Sequence, residues 1–182
     1  HIHINPILQY SYGAGNSTDG TALPFDSNAT LPEKYLRAFE AAITHGVDDT
    51  TNPRRGPFVL LVSTSNLFTS ERAITVVPQQ GITKQSSAVS QIQAIVAYNG
   101  WTGERGGKVT QYPGVTAGTA YLIDVGRRNR NFRSYVKQDL QRENGNPDVS
   151  RFILEATVWD TWFGTYTDPA AAVEKITLPT AS

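Results

Sequence analysis

FVLLV, at Phe58–Val62, is the stretch of this sequence that decides its fold class. The run contains only apolar residues, and an unbroken apolar run of strand length is typical of a strand that is buried on both faces. We therefore expect this segment to lie in the interior of a sheet. Two further strands are expected: Ala120–Val125 is mostly apolar, and Val173–Leu178 has the alternation of a closing strand.

Helical patterns lie on both sides of this strand. Thr30 and Glu33 form a capping box, and the apolar residues that follow recur at helical spacing. This pattern predicts a helix from Thr30 to Gly46. A short helical turn is expected after Asn66, and the spacing of the apolar residues predicts a second helix over Ser87–Tyr98.

The C-terminal third predicts further strands. Phe132–Val136 has the composition of a strand, Glu143–Asp148 that of a turn, and Arg151–Tyr166 that of a long strand with alternating faces. Residues 1–30 show no sustained period and are rich in Gly, Ser, Thr and Asn, so we expect an extended arm there. Residues 31–182 then form a single α/β domain, and the fold class is α+β.

The composition excludes several classes of protein. The 16 acidic and 16 basic residues cancel, so no global field attracts the chain to nucleic acid or to a charged membrane. The absence of cysteine excludes disulfides and thiolate metal sites. No apolar run approaches the roughly 20 residues that span a bilayer. Methionine is absent even at position 1, so we expect that His1 is not the translation start and that further chain precedes it.

The residue patterns of common enzymes are also missing. The three histidines lie within the first 45 residues, and the sequence has neither a Gly-x-Ser-x-Gly elbow nor a Walker A loop. Asp124, Glu155 and Asp160 lie in apolar strand segments, where an acid–base pair is one interpretation and contact with solvent or an arginine is the commoner one. We therefore expect no enzyme, no cofactor and no metal. The alternative is a secreted or surface module, or an enzyme, that binds a metal such as copper through His1 and His3.

A basic cluster follows the strand that ends near Val125. It places five cations within eleven residues, namely Arg127, Arg128, Arg130, Arg133 and Lys137. One interpretation is nucleic-acid binding, since phosphate contacts need clustered Lys and Arg. The other is contact with a neighbouring copy of the chain, because arginine is enriched at interfaces. We favour the second, because a neutral protein has no wider basic surface.

The order of features from about Gly56 onward resembles the C-terminal half of the major capsid proteins of tailed bacteriophages and of the related encapsulin shell proteins. The segments that carry the resemblance are 56–66, the helix near Ser90 leading to a strand near Ile95, 113–123, 151–158 and 167–173. The last two resemble the family's long strand, Asp-Pro turn and short closing strand. The family's long spine helix and extended loop are not recognisable before Thr30.

This resemblance implies a compact domain at a capsomer axis and a peripheral domain with the long strand. It implies a structural subunit that self-assembles into an icosahedral capsid or a nanocompartment, enclosing a genome or a cargo protein. Its partners would be other copies of itself, and its location the virion, or the bacterial cytoplasm for a nanocompartment. We predict contacts between copies through the N-terminal arm, the basic cluster and the glycine-rich loop 100–118, which carries Trp101 and Arg105.

Overall fold

A computed structural model describes residues 4–75, 89–105, 107–127, 132–144, 156–167 and 172–180. Within these ranges the helices are α1 (Ile4–Gln9), α2 (Leu31–Asp48) and α3 (Thr64–Ile74). The strands are β1 (Ser17–Asp19), β2 (Phe58–Val62), β3 (Ile92–Ala97), β4 (Gly100–Arg105), β5 (Lys108–Pro113), β6 (Thr119–Asp124), β7 (Phe132–Asn144), β8 (Ala156–Thr167) and β9 (Val173–Thr177). The fold is thus a mixture of helices and sheets, of the α+β class.

A five-stranded sheet organises the fold, in the order β1-β9-β6-β2-β3. The FVLLV strand β2 pairs in parallel with β3 on one side and antiparallel with β6 on the other. All its residues except Val59 are buried. The prediction of an interior strand is confirmed, and so are the predicted strands that correspond to β6 and β9.

Apolar clusters cover the two faces of this sheet. Leu60 and Val62 belong to the larger cluster, which includes the buried face of α2. Leu61 points to the other face, since side chains alternate along a strand, and belongs to a smaller cluster with Ile7 and Tyr121. The core therefore has two layers, one on each side of β2.

The predicted helix after Thr30 is confirmed as α2. The backbone N–H and the hydroxyl of Thr30 both donate to Glu33 Oε2, at 2.7 and 2.8 Å. This reciprocal cap occupies a backbone donor that the first helical turn leaves without an intrahelical partner. The helix continues past Gly46 to Asp48.

The second predicted helix is wrong. Residues 89–91 form one 3-10 turn, and residues 92–97 form strand β3, while residues 87 and 88 lie outside the described residues. Val89, Ile92 and Val96 do recur at helical spacing, but β-branched residues also suit a strand. Backbone pairing with β2 decides between the two structures. The helical turn expected after Asn66 is a longer helix, α3, which begins at Thr64.

The N-terminal residues are more regular than an extended arm. Residues 4–9 form α1, and β1 pairs in parallel with β9 at the edge of the sheet. Tyr12 lies on this segment and donates its hydroxyl to Ile7 O at 2.8 Å. Burial raises the pKa of Tyr12 well above its ordinary value, and the neighbouring Tyr121 adds to the shift. The division of the chain at residue 30 stays a prediction.

Two further sheets are two-stranded ribbons, β4–β5 and β7–β8. The predicted strand at 132–136 continues to residue 144, and β8 covers the described part of the predicted strand 151–166. The predicted turn overlaps the end of β7 at residues 143 and 144, and its remainder lies outside the described residues. Among the helices in the described ranges, none is long and apolar enough to cross a membrane.

Candidate functional site

Most of the residues of the β4–β5 ribbon whose burial is described are exposed. The two strands pair antiparallel over their full length, from Gly100 opposite Pro113 to Arg105 opposite Lys108. Four successive residues of β5, from Lys108 to Gln111, are all exposed. Because successive side chains point to opposite faces, this pattern means that both faces of the ribbon are uncovered near its tip.

Two aromatic side chains form a flat surface on this ribbon. Trp101 and Tyr112 are directly opposite each other in the register. Their rings stack with centroids 4.5 Å apart and an interplanar angle of 10°. Trp101 nevertheless remains 40% exposed. Stacked aromatic pairs add rigidity and contact area, which are the properties of an interface anchor.

Gly103 allows the Trp101 ring to lie along the ribbon. Residues 101 and 103 are on the same face of β4, and a Cβ at position 103 would overlap the indole ring. The indole therefore lies over Gly103 instead of projecting away from the strand. Val109, which is 62% exposed, adds apolar surface nearer the tip of the ribbon.

Backbone hydrogen bonds join the base of the ribbon to the five-stranded sheet. Tyr98 N–H donates to Val62 O at 2.9 Å, and Val115 N–H donates to Tyr98 O at 2.9 Å. Gly100 begins the ribbon with φ +78, in the left-handed region that favours glycine. The ribbon thus leaves the sheet at a fixed point, directly after β3.

A buried ion pair holds the opposite edge of the sheet. Arg54 Nη2 lies 2.6 Å from Glu174 Oε2, and both side chains are 1% exposed. Glu174 Oε1 accepts a hydrogen bond from the Thr18 hydroxyl at 2.7 Å and lies 2.7 Å from His45 Nδ1. Arg54 Nη2 also donates to Gly15 O at 3.1 Å. The pair therefore binds the N-terminal segment to β9 and to the end of α2.

Asp49 is a second carboxylate beside Arg54. Its Oδ2 lies 3.3 Å from Arg54 Nη1, and its Oδ1 accepts hydrogen bonds from the backbone N–H groups of Asn52 and Thr51. These backbone hydrogen bonds, first that of Asn52 and then that of Thr51, lower the pKa of Asp49, and the nearby Arg54 charge lowers it further. The turn at 49–52 thereby orients Arg54 toward the interior.

Sequence reasoning missed this buried network. Arg54 lies in a loop, Glu174 in the closing strand, and His45 in the last turn of α2. The partners are separated by 120 and 129 positions along the chain. The one sequence signal for this network is Glu174 itself, an acidic residue within the predicted strand Val173–Leu178, since a charge that becomes buried in a sheet needs a partner.

The carboxylates considered for catalysis differ in their surroundings. Asp124 is buried, and its Oδ2 accepts a hydrogen bond from Arg55 N–H at 3.0 Å. Glu155 lies outside the described residues, and Asp160 lies on β8. Within the described ranges, no three His, Cys, Asp or Glu side chains come together as a metal site would require. His1 and His3 lie outside the described residues.

The predicted contact residues occupy several elements. Trp101 and Arg105 are at the two ends of β4, so the structure places them on one ribbon. Arg127 ends the 3-10 turn that follows β6, and Arg133 and Lys137 lie on β7. The remaining two residues of the basic cluster, Arg128 and Arg130, lie outside the described residues. Their role in contacts between copies stays a prediction.

Comparisons with known proteins find likeness in structure but no match in sequence. No protein-family model matches the chain, and no curated protein matches it. A solved structure with some likeness is titled "Asymmetric unit of bacteriophage PhiM1 mature capsid", with 11% identity and a TM-score of 0.46. The likeness covers 100% of this chain, which spans 59% of the length of that one. At this identity and TM-score, the likeness fixes neither the fold nor the function of the chain.

Proposed function

We propose that this chain is a structural subunit that assembles with copies of itself into a closed shell, and that the β4–β5 ribbon is a contact between copies. The observation that carries the proposal is the exposure of both faces of this ribbon around a rigid aromatic pair. The role is structural and not catalytic, and the enclosed material is a genome or a cargo protein.

The physical argument begins with the stability of a two-stranded ribbon. An isolated hairpin is marginally stable in water, because it has no core on either face. Val109 and Trp101 keep much of their apolar surface in solvent. Covering such a ribbon with a neighbouring copy would both bury this surface and order the ribbon. Exposed apolar ribbons of this kind are therefore better explained by a partner than by the isolated chain.

A shell needs contacts that continue from copy to copy. A heterologous interface joins two different surfaces of the same chain, and it generates closed rings when the rotation closes. A projecting ribbon that reaches a different surface on the next copy has this geometry. The affinity of each contact is modest, but the contacts add over all copies. The resemblance to capsid and encapsulin proteins described above predicts the same arrangement, in a virion or a bacterial nanocompartment.

The predicted basic cluster fits a second contact in the same assembly. Its cations need acidic partners, and a neutral chain carries those partners on other surfaces. Nucleic acid inside the shell is the other partner that such a cluster suits, and a steep salt dependence of nucleic-acid binding would reveal it.

The test compares two exposed valines. Val109 on the ribbon and Val47 on α2 are 62% and 42% exposed, and each is replaced by lysine. Fully burying a valine is worth about 1.5–3 kcal/mol, so a lysine at a buried contact should weaken assembly at least about tenfold. We expect V109K to raise the protein concentration that is needed for assembly, as measured by sedimentation velocity, while V47K assembles at the same concentration as the wild type.

Two results would contradict the proposal. Equal effects of V109K and V47K on assembly would show that the ribbon is not a contact between copies. A wild-type protein that stays monomeric at high concentration would argue against any shell. The alternative of a metal-binding module at His1 and His3 then becomes the first to test, by copper titration of a protein with an authentic N-terminus.

A further inference from the structure

Strand β3 forms one edge of the five-stranded sheet. Its pairing partner is β2, and among the described residues no strand lies on its other side. The edge continues directly into the β4–β5 ribbon, with only residues 98 and 99 between them. The sheet edge and the proposed contact ribbon therefore form one continuous surface.

The backbone groups that face outward along this edge can be identified. Tyr98 N–H points to β2, where it donates to Val62 O. Because backbone groups alternate in direction along a strand, the N–H groups of Val96 and Ala94 also face β2. The N–H and C=O groups of Ile95 and Ala97 face the open side. They are placed to continue the ladder to another strand.

Apart from one register shift with β2, at Gln93, this edge lacks the features that usually prevent edge-to-edge pairing. Natural sheets protect their edges with charges, proline or bulges directed outward. Residues 89–99 contain no charged residue and no proline. Gln93, Ala94 and Val96 are exposed, and Val96 is 43% exposed. An uncharged edge of this kind suits an extended backbone as its partner.

The other edge of the same sheet is β1, and its direction matches. β3 is parallel to β2, β2 and β9 are both antiparallel to β6, and β1 is parallel to β9. It follows that β1 and β3 run in the same direction. A second copy could therefore place its β1 beside β3 as a further parallel strand, in a heterologous contact that repeats from copy to copy.

We propose that the open edge of β3 binds the β1 edge of a second copy, so that the sheet continues between neighbours. This inference rests on the proposed assembly and names the surface that joins two copies. The contact is short, because β1 has three residues. It would act together with the adjacent ribbon.

A matched pair of proline variants tests the backbone contact. A97P removes an N–H group that faces the open side, whereas A94P removes one that faces β2. Proline is tolerated on an edge strand where its missing N–H faces outward. We expect A97P to weaken assembly at least tenfold with a melting temperature of the dissociated subunit close to that of the wild type. A94P should lower that melting temperature by several degrees.

Amide hydrogen exchange tests the same contact in the wild-type protein, without any substitution. The amides of Ile95 and Ala97 should exchange rapidly in the dissociated wild-type subunit and at least tenfold more slowly in the assembly. Equal rates in the two states would overturn the inference. Slow exchange in the dissociated subunit would also overturn it, because the chain's own residues would then cover the edge.

Crosslinking tests the identity of the partner strand. The chain has no cysteine, so A97C and S17C carry one thiol each. A short bismaleimide should join the two variants when they are mixed, and fail to join A97C to itself. Absence of the mixed product from assembled protein would overturn the pairing with β1. If V109K disrupts assembly and A97P does not, the edge inference fails while the proposed shell function stands.

Discussion

Removing Arg54 should destabilise the protein more than any surface substitution. R54M keeps most of the side-chain volume but leaves Glu174 buried without its cation, and Glu174 is 1% exposed. Breaking a buried ion pair from one side costs about 3–5 kcal/mol, because the remaining charge is left uncompensated. Thr18 and His45 still contact the other carboxylate oxygen. We therefore expect a loss near 3 kcal/mol.

The double variant R54M/E174Q separates the charge from the packing. It removes both charges, and the glutamine oxygen still accepts the hydrogen bond from Thr18. Replacing a buried ion pair by neutral residues is often close to neutral in stability. We expect the double variant to lie within about 1–2 kcal/mol of the wild type, and so to recover part of the loss caused by R54M.

Urea denaturation followed by circular dichroism measures both effects. At an m-value of about 2 kcal/mol/M, a loss of 3 kcal/mol lowers the midpoint by about 1.5 M. R54M should show this shift with an unchanged m-value. A loss below about 1 kcal/mol, or a double variant less stable than R54M, would refute the reasoning, because the pair would then not be a buried and mutually dependent one.

Three further predictions concern the helix cap, the ribbon and the N-terminal segment. Hydrogen bonds from the backbone N–H and then the hydroxyl of Thr30 lower the pKa of Glu33. The cap therefore stabilises the fold above the unfolded glutamate pKa of about 4.3, and this stabilisation is lost as the pH falls through the lower pKa of Glu33 in the folded state. E33Q should make stability less dependent on pH in this range. G103V should displace the indole of Trp101 and change its fluorescence, with little change in urea midpoint; unchanged emission would contradict the overlap. Burial raises the pKa of Tyr12, so the folded state favours the neutral phenol. The contribution of this phenol to stability is complete below its unfolded pKa of about 10 and is lost as the pH rises from there toward the folded pKa. Y12F should therefore reduce the loss of stability at alkaline pH.

The elements that the sequence predicts well have a strong local signal. Strand β2 is an unbroken apolar run, and α2 combines a capping box with a clear apolar face. Both properties are visible within a few residues. They therefore indicate the sheet interior and the main helix without any information on tertiary contacts.

The wrong helix shows where local signals become ambiguous. In residues 89–97, apolar residues fall at spacings that suit a helix face, and their β-branched character suits a strand. Pairing with β2, whose residues precede their partners in β3 by 34 or 35 positions, determines the outcome. Such pairing is invisible to a reading of local periodicity.

The sequence indicates the segment of the candidate site but not its structure, and the role of its residues in contacts stays a prediction. The glycine content of residues 100–118 indicates a contact segment that includes Trp101. It predicts a loop, whereas the structure has two paired strands there. The cross-strand stack with Tyr112 depends on the register of that pairing, which the sequence does not specify. The Arg54–Glu174 pair was missed because its two residues lie 120 positions apart.

The particle mass of the native protein tests the central claim most directly. Light scattering and negative-stain imaging of one fraction give the mass and the shape together. Self-assembly into a shell predicts closed particles of megadalton mass. A stable species near the single-chain mass of 19.9 kDa, at all accessible concentrations, would contradict it.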